Sequence, residues 1–432
     1  MKPKFLGLLA GALLALAGAA RAELTIEITR AGGQTYPIAV VPFTTASVGQ
    51  TAVNEVIAAD LDRSGEFRSI APERMLSRPS EASQVDFREW KLLEAAYLVI
   101  GRVEASGSGH AVSFELFDVA RGTRMLGERY DGITAAQGRQ IAHHLADRIY
   151  EAITGVRGIF STRVAYVTAQ GERYELQVAD ADGYNPITIL RATEPVLSPT
   201  WSPDGRYLAY TAFAGRTPAL YRQELATGLR ERLGTFPGIN GAPAFSPDGT
   251  RLAVVLSKDG NPEIYVLTLA DKSVRRLTQH YAIDTEPAWS PDGRYVYFTS
   301  DRAGGPQVYR VPASGGQAQR LSFEGNYNAR PRPSPDGSKI AVVHGGGGYR
   351  IAVMDLKAGR LDILTDGPLD ESPSFAPNGQ MLIYTRRAGS AEELATVSVD
   401  GRVRQRVAVP QAKVREPAWS PFSQTPSRSS MP

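Results

Sequence analysis

Hydrophobic and polar residues alternate in short runs that recur through the second half of the chain. Arg206–Tyr210, Arg251–Val255 and Arg294–Phe298 each follow a Ser-Pro-Asp-Gly sequence. Alternation with period two is typical of β-strands. The turn sequence favours a tight hairpin, because proline fixes φ and glycine readily takes a positive φ. A third run, such as Glu263–Leu267, and a fourth, such as Arg275–Leu277, complete each unit, which therefore predicts four short strands.

The turn sequence occurs in six copies at nearly constant spacing. Its prolines are Pro203, Pro247, Pro291, Pro335, Pro377 and Pro421, so the steps are 44, 44, 44, 42 and 44 residues. A second proline precedes each of these by four residues, and an aromatic residue usually precedes the turn. We expect this aromatic residue to pack between units, although Pro333 replaces it in the fourth copy. Four-stranded units at this interval are typical of β-propeller blades.

The two ends of the repeat region predict how the propeller closes. Arg163–Thr168, Glu175–Ala179 and Ile187–Leu190 look like the second, third and fourth strands of a blade that lacks its first strand. Glu416–Ser420 looks like a first strand with nothing after it. Joining these ends completes a six-bladed β-propeller over residues 158–422 and removes exposed sheet edges. Residues 423–432, rich in serine and proline, are expected to form a disordered tail.

Residues 23–157 show no repeat and predict a mixed α/β domain. Ile38–Phe43 reads as a buried strand, Asn54–Ser64 as a helix and Ala135–Thr154 as a long amphipathic helix ended by a glycine. Ahead of them, Glu23–Arg30 alternates apolar and polar residues. This stretch opens an N-terminal arm, residues 23–33, which could be an edge strand or could pair with a strand of a partner protein.

The first 22 residues have the pattern of a cleavable export signal. Lys2 and Lys4 precede the apolar run Phe5–Ala19, and Ala20-Arg21-Ala22 fits a small-x-small cleavage site. The alternative is a membrane anchor, but the run of about 15 residues is short for a span of roughly 20. We therefore expect a mature chain that starts near Glu23 and is not inserted in a membrane.

Composition narrows the function. The formal net charge of +3 is too small to suggest a nucleic-acid binder, and the absence of cysteine excludes disulfides and thiolate chemistry. No G-x-S-x-G sequence occurs, so the hydrolase domain of propeller peptidases is not expected. His143 and His144 are adjacent on a helix, point about 100° apart and cannot share a metal; a solvated helix face is expected. Glu286, Glu371 and Glu416 could form a ring of carboxylates that receives a cation or a basic peptide, or serves a hydrolase or ligand-binding protein.

Three segments carry a resemblance to a known family. The stretches ITRAGGQTYPIAVVPF, YELQVADADGYNP and FPGINGAPAFSPDG, together with the domain order, resemble the TolB family, the periplasmic component of the Tol-Pal system of Gram-negative bacteria. The resemblance covers essentially the whole mature chain. It implies a propeller that binds the outer-membrane lipoprotein Pal and an N-terminal segment that binds TolA of the inner membrane.

The resemblance also implies a role in outer-membrane integrity and in constriction of that membrane during cell division. Some colicins use the propeller of family members for import. The family is not enzymatic and no cofactor is required. Calcium has been associated with the propeller channel, but no motif here identifies its ligands, and the metal site is left unknown.

Propeller partners usually bind the loops between blades, which locates the candidate contacts. For Pal these are Ile239, Asn240, Gly241, Ala242, Asp284, Thr285, Glu286, Asn326, Asn328, Asp370, Glu371, Arg415 and Glu416. For TolA they are Glu23, Leu24, Thr25, Ile26, Glu27, Ile28, Thr29 and Arg30. We further expect the arm to alternate between a state docked on its own domain and a free state, with propeller occupancy biasing that equilibrium.

Overall fold

The computed structural model describes residues 26–30, 35–44, 47–407 and 413–423. The export signal, Glu23–Thr25 of the arm and residues 424–432 of the expected tail lie outside these residues. The elements of the first part of the chain are β1 (Ile26–Arg30), β2 (Tyr36–Val40), β3 (Ser47–Val48), β4 (Thr51–Ala52), α1 (Val53–Ser64), β5 (Phe67–Ser69), α2 (Phe87–Leu92), β6 (Tyr97–Ser106), β7 (Gly109–Asp118), β8 (Thr123–Ile133) and α3 (Gly138–Thr154).

The N-terminal domain is a five-stranded mixed sheet with the order β5-β2-β6-β7-β8. Strand β2 runs parallel to both of its neighbours, whereas β6, β7 and β8 form an antiparallel meander. Helix α1 buries Val53, Ile57 and Leu61 at i, i+4 and i+8, which is the apolar stripe that a core-facing helix requires. It ends at Gly65, whose φ of 81° suits glycine. The predicted α/β domain and both of its long helices are confirmed.

Helix α3 differs from the expectation in one respect. His143 and His144 are both buried, so the prediction of a solvated helix face is wrong. His144 faces its own domain, where its Nε2 lies 3.0 Å from the hydroxyl of Tyr130. His143 faces the repeat region. Adjacent residues on a helix point in different directions, and here the N-terminal domain covers one side of α3 while the repeat region covers the other.

The part of the chain that the structure describes after α3 consists of strands and contains no helix. Its strands are β9 (Arg163–Gln170), β10 (Arg173–Asp180), β11 (Ile187–Ala192), β12 (Leu197–Trp201), β13 (Tyr207–Ala214), β14 (Thr217–Glu224), β15 (Arg230–Gly234), β16 (Asn240–Phe245), β17 (Arg251–Leu256), β18 (Glu263–Thr268), β19 (Val274–Arg276), β20 (Asp284–Trp289), β21 (Tyr295–Ser300), β22 (Gln307–Pro312), β23 (Gln319–Arg320), β24 (Tyr327–Pro333), β25 (Lys339–Gly345), β26 (Tyr349–Asp355), β27 (Leu361–Ile363), β28 (Leu369–Phe375), β29 (Met381–Ala388), β30 (Ala391–Ser398), β31 (Val403–Val407) and β32 (Lys413–Trp419).

These strands pair as antiparallel meanders in chain order. Strands β12–β15, β16–β19 and β20–β23 form separate four-stranded sheets. Strands β24–β27 and β28–β31 have the same order, but one bridge between Tyr349 and Leu369 joins them into a larger sheet. The remaining sheet has the order β11-β10-β9-β32, so the last strand of the chain pairs with the first strand of the repeat region. The first strands of successive repeats contact one another, and β12 also contacts β32.

The motif turns form as the sequence predicts. In the third copy, the Ser290 hydroxyl donates to Oδ1 of Asp292 at 2.6 Å, and the same oxygen accepts from the backbone N–H of Arg294 at 3.0 Å. Gly293 takes a φ of 70°. The aromatic residue before the turn packs between sheets, because Trp289 belongs to a core shared by residues of two neighbouring sheets and donates to the carbonyl of Ala244 at 3.1 Å.

The second proline of each repeat marks a feature that the sequence analysis missed. The residue directly before it has a left-handed backbone with φ between 46° and 57°, and the first strand shifts register there. Proline disfavours the right-handed helical region for the residue before it, and a bulge re-aims the side chain at that position. These six residues, called the bulge residues below, are Ser198, Ala242, Glu286, Arg330, Ser372 and Glu416.

Candidate docking face and channel mouth

The loops of the repeat region lie at two ends. The motif turns and the turns between third and fourth strands share one end, as the hydrogen bond from Leu225 N–H to the Arg206 carbonyl shows (3.0 Å). The N-terminal domain covers part of this end, where Asn378 of a motif turn donates to the carbonyl of Arg157 at 3.0 Å. The loops that join repeats, and the loops between second and third strands, lie at the opposite end. We call that end the docking face; its loops include residues 235–239, 257–262, 278–283, 301–306 and 322–326.

Hydrogen bonds between neighbouring loops fix the docking face. The N–H of Ile239 donates to the Ser257 hydroxyl at 2.8 Å. The N–H of Ile283 donates to the Asp301 carboxylate, also at 2.8 Å. The amide of Asn261 donates to the Ala282 carbonyl at 2.6 Å. A face held in this way can bind a partner at small ordering cost.

Large apolar side chains project from this ordered surface. Tyr281 is 86% exposed and Phe323 is 74% exposed, and Ile239 and Ile283 are about half exposed. The ring of Tyr281 lies against His280, with the ring centres 4.3 Å apart. Only Ile239 was among the residues predicted from the sequence. The other three could have been identified from the sequence, because a large apolar side chain in a loop between repeats is expected to be exposed, and an exposed apolar patch is informative about binding.

Four predicted contact residues have enclosed side chains. Asn240, Asp284, Asn328 and Asp370 are each at most 1% exposed. The Asn240 amide donates to the carbonyl of Phe236 at 2.6 Å. Asp284 receives two hydrogen bonds from Arg302, and Asn328 donates to the carbonyl of Glu324. Asn240, Asp284 and Asn328 support the loops from inside, which is the structural reason for polar residues at these three positions.

The other predicted residues lie nearer the surface. Gly241, Ala242 and Thr285 are partly exposed next to Ile239 and Ile283, and Asn326 is exposed beside Phe323. Arg415 is exposed and pairs with Glu392 at 3.0 Å. Glu286, Glu371 and Glu416 are partly buried. The predicted set therefore combines surface residues, loop supports and partly buried carboxylates of the first strands.

Bulge residues from four repeats converge on Arg330, at a place that we call the channel mouth. Nε of Arg330 lies 2.7 Å from Oε1 of Glu286, and its Nη2 lies 3.2 Å from Oε1 of Glu416. Its Nη1 donates to the hydroxyl of Ser372. The pKa of Arg330 is raised above its ordinary value, chiefly by the carboxylate of Glu416 and then by that of Glu286. One guanidinium thus bridges three other repeats.

The contacts of Arg330 differ from the ring of three carboxylates that was expected from the sequence. Glu286 and Glu416 directly precede the second proline of their repeats, but Glu371 lies one residue earlier, and Ser372 takes the equivalent position. The two equivalent carboxylates are already bound by Arg330. A calcium ion would have to displace this guanidinium, so the donor set as it stands does not fit a cation. For the same reason, Glu286 and Glu416 are not a free pair of carboxylates such as a hydrolase uses.

The arm pairs with a strand of the same chain that was not predicted from the sequence. Strand β1 pairs antiparallel with β31, the outermost strand of its repeat, with Ile26 opposite Val407 and Arg30 opposite Val403. The expectation that a docked arm lies on its own domain is therefore wrong. Strand β31 is an outer strand with a free edge, which can accept an added strand, whereas β2 is flanked on both sides in the N-terminal sheet.

Comparison with known proteins agrees with this architecture. Residues 24–125 match the family model of the TolB amino-terminal domain, and residues 150–423 match that of the TolB beta propeller domain. The Tol-Pal system protein TolB of Xanthomonas euvesicatoria pv. vesicatoria (strain 85-10) is 53% identical over 97% of this chain and 98% of that protein. TolB of Xanthomonas campestris pv. campestris (strain B100) is 52% identical over the same shares.

A solved structure has the same fold over nearly the whole chain. The crystal structure of TolB from Acinetobacter baumannii is 42% identical, with a TM-score of 0.86 over 93% of this chain and 100% of that one. These matches confirm two domains, an N-terminal domain and a C-terminal β-propeller. The chain belongs to the TolB family of Tol-Pal system proteins.

Proposed function

We propose that this chain is an exported periplasmic docking protein that binds the lipoprotein Pal through the docking face and TolA through the arm, and catalyses no reaction. The observation that carries the proposal is the group of exposed apolar residues on the docking face, at the end opposite the N-terminal domain. Solvent-exposed aromatic residues on an ordered surface are the usual anchors of protein interfaces. In the part of the chain that the structure describes, no helix is long and apolar enough to span a membrane.

The proposal includes a propeller of six blades closed into a ring. Two observations support it. Strand β32 pairs with β9, so the end of the repeat region completes the sheet at its beginning. The indole N–H of Trp201 on β12 also donates to the carbonyl of Ala418 on β32 at 2.9 Å, which links the second sheet to that one. A closed ring makes the docking face rigid.

The arm is suited to exchange partners. Strand β1 contributes backbone pairing to an outer edge, and a strand from another protein can offer the same hydrogen bonds. Glu23–Arg30 is the stretch proposed to bind TolA. Linked in this way to both membranes, the protein supports outer-membrane integrity and constriction during division. Colicins that enter through such a protein bind the docking face.

Calorimetric titration of the mature chain with the soluble domain of Pal from the same cell tests the docking face. We expect one-to-one binding that Tyr281→Ala or Phe323→Ala weakens at least tenfold, because interface anchors contribute about 2 kcal/mol each. Thr285→Arg should also weaken binding, because it places a bulky charge beside Ile283. Leu229→Ala is the matched control, since Leu229 is also an exposed apolar residue but lies at the opposite end.

The outcomes separate the parts of the proposal. Loss of Pal binding in the docking-face variants, with the Leu229→Ala protein unchanged, supports the assignment. Equal weakening in all variants, or no binding by the folded wild type, overturns it. Deletion of residues 23–33 should abolish binding of TolA while leaving the Pal titration measurable.

A further inference from the structure

A cluster of charged side chains is buried between the two domains. Asp60 and Arg63 come from α1, Arg139 and His143 come from α3, and Asp182 comes from the loop between β10 and β11 of the repeat region. Asp60, His143 and Asp182 are buried, with exposures of 1%, 2% and 4%. Charges are seldom buried so completely unless they are paired.

The imidazole of His143 lies between carboxylates of the two domains. Its Nδ1 is 2.6 Å from Oδ2 of Asp60, and its Nε2 is 3.6 Å from Oδ2 of Asp182. Arg63 bonds Asp60 at 2.7 Å and lies 3.6 Å from Asp182. Arg139 also pairs with Asp182, and its Nη2 lies 3.5 Å from Nε2 of His143. Asp182 is thus the acidic group through which the repeat region joins the cluster.

The cluster does not suit a metal ion. Asp60, His143 and Asp182 do bring ligand atoms within 4.8 Å of one another. However, the guanidiniums of Arg63 and Arg139 already bind both carboxylates, and these four charges balance. The variable charge is that of the imidazole, because it changes between protonation states near neutral pH.

Two further carboxylates face this region. Asp180, at the end of β10, is held by the amide of Asn185 at 2.7 Å. Asp147, one turn beyond His143 on α3, accepts hydrogen bonds from the backbone of Phe160 at 2.6 Å and Ser161 at 3.1 Å, in the segment that joins the domains. The surroundings of His143 therefore hold four carboxylates and two guanidiniums.

We propose that this cluster is a protonation-controlled latch, in which protonated His143 holds the two domains together and its deprotonation loosens their contact. With His143 protonated, Nδ1 donates to the α1 carboxylate and the positive ring faces the carboxylate from the repeat region. With His143 neutral, the four carboxylates outnumber the two guanidiniums, and the interaction with Asp182 is lost. The latch stands independently of the proposed partners.

The pKa shifts of the buried groups predict how the stability of the interdomain contact changes with pH. Burial alone lowers the pKa of His143, but the carboxylates of Asp60 and Asp182 outweigh burial, so its pKa is raised. This stabilisation is complete below pH 6.5, the pKa of histidine in the unfolded chain, and is lost as pH rises through the raised pKa of His143. Burial raises the pKa of Asp147 to about 6 and raises that of Asp180. These shifts also make the folded state less stable as pH rises.

The titration of Asp182 has the opposite effect on stability, but it occurs at a lower pH than the titration of the latch. Burial raises the pKa of Asp182, but Arg63 and His143 outweigh burial, so its pKa lies below 3.8. Its contribution is therefore constant near neutral pH. The latch is expected to hold below pH 6.5 and to weaken as pH rises through the raised pKa of His143.

The adjacent histidine is a matched control. Burial, and then the charge of Arg148, lowers the pKa of His144 to about 4. Its imidazole contacts its own domain through Tyr130. A change of His144 to glutamine should therefore leave the pH dependence of the interdomain contact intact, whereas the same change of His143 should remove the part that comes from its imidazole.

Two measurements on the mature chain test the latch. The sequence has no cysteine, so fluorophores on Arg88→Cys and Leu229→Cys report the distance between domains. The wild type should show a narrow distribution of transfer efficiencies at pH 5.5 and a broader one at a pH above the His143 pKa that the NMR titration below gives. His144→Gln should behave like the wild type, and His143→Gln should be broad at both values.

The second measurement starts from the wild type, so its main result does not depend on a variant that might misfold. Nitrogen-15 NMR of the histidine rings gives the protonation of His143 in the wild type directly, and we expect it to titrate above 6.5. Asp182→Asn should lower that pKa. Titration below 6.5, or a distance distribution that is the same at both pH values in the wild type, overturns the proposal.

Discussion

Replacing Arg330 with methionine tests whether the ion pairs at the channel mouth stabilise the repeat region. The change keeps much of the side-chain length but leaves Glu286 and Glu416 without their guanidinium. Their side chains are 21% and 17% exposed. Breaking a fully buried pair costs about 3–5 kcal/mol, whereas an exposed pair contributes about 0–1 kcal/mol. The intermediate exposure predicts a loss of about 2 kcal/mol in the free energy of unfolding.

Differential scanning calorimetry measures this loss. For a domain of this size, about 2 kcal/mol corresponds to a fall in Tm of roughly 4–8 °C. Arg206→Met is the matched control, because Arg206 pairs with Glu224 at the surface; its Tm should stay close to that of the wild type. Neutralising both carboxylates with glutamine in the Arg330→Met protein should recover most of the loss.

The combined variant separates charge from packing. If the repulsion of unpaired carboxylates causes the loss, their neutralisation restores stability even though the methionine remains. An Arg330→Met protein as stable as the wild type, or one that neutralisation does not improve, would refute the reasoning.

Three further changes test individual contacts. Trp201→Ala should cost about 3–5 kcal/mol in denaturant unfolding, because it removes a buried ring and its hydrogen bond to β32; a cost below about 1 kcal/mol contradicts this. Hydrogen bonds from Ser290 and the following backbone hold the pKa of Asp292 at about 2. Its stabilisation is present above the unfolded value of 3.8 and is lost as pH falls through about 2, so the stability advantage over Asp292→Asn, followed by calorimetry, should shrink across that range. An advantage independent of pH contradicts the assignment. Gly65→Val should destabilise by at least about 1 kcal/mol, since its Cβ would lie 2.5 Å from Val403 at a φ of 81°; unchanged denaturant unfolding contradicts the close approach.

The repeat could be predicted because its information is local. A proline, an aspartate and a glycine at fixed offsets define each turn, and the alternation after it defines a strand. The second proline was visible at the same register, but its effect on the residue before it was not inferred. The left-handed backbone at Glu286 and Arg330 depends on the bulge as well as on the proline.

The site was only partly predictable because burial depends on the whole fold. Asn240 and Asp284 look like surface residues in a loop sequence, yet their side chains support the loops from inside. Tyr281 and Phe323 were overlooked for the opposite reason, since apolar residues are expected to be buried. His143 was placed on a solvated face because the repeat region that covers it is distant in sequence.

The arm shows the same limit. Its alternation predicted a strand, but a pattern of side chains does not identify the strand with which it pairs. The free edge of β31 exists only once the repeat has folded, and β31 lies more than 370 residues further along the chain. The register of β1 on β31 could be known only from the structure.

Hydrogen–deuterium exchange of the mature chain, with and without the soluble domain of Pal, tests the docking face most directly. The account predicts that Pal slows exchange in the loops at residues 278–283 and 322–326 and leaves the motif turns at the opposite end unchanged. Protection confined to the motif turns or to the N-terminal domain, with the docking-face loops exchanging as in the free protein, would contradict it.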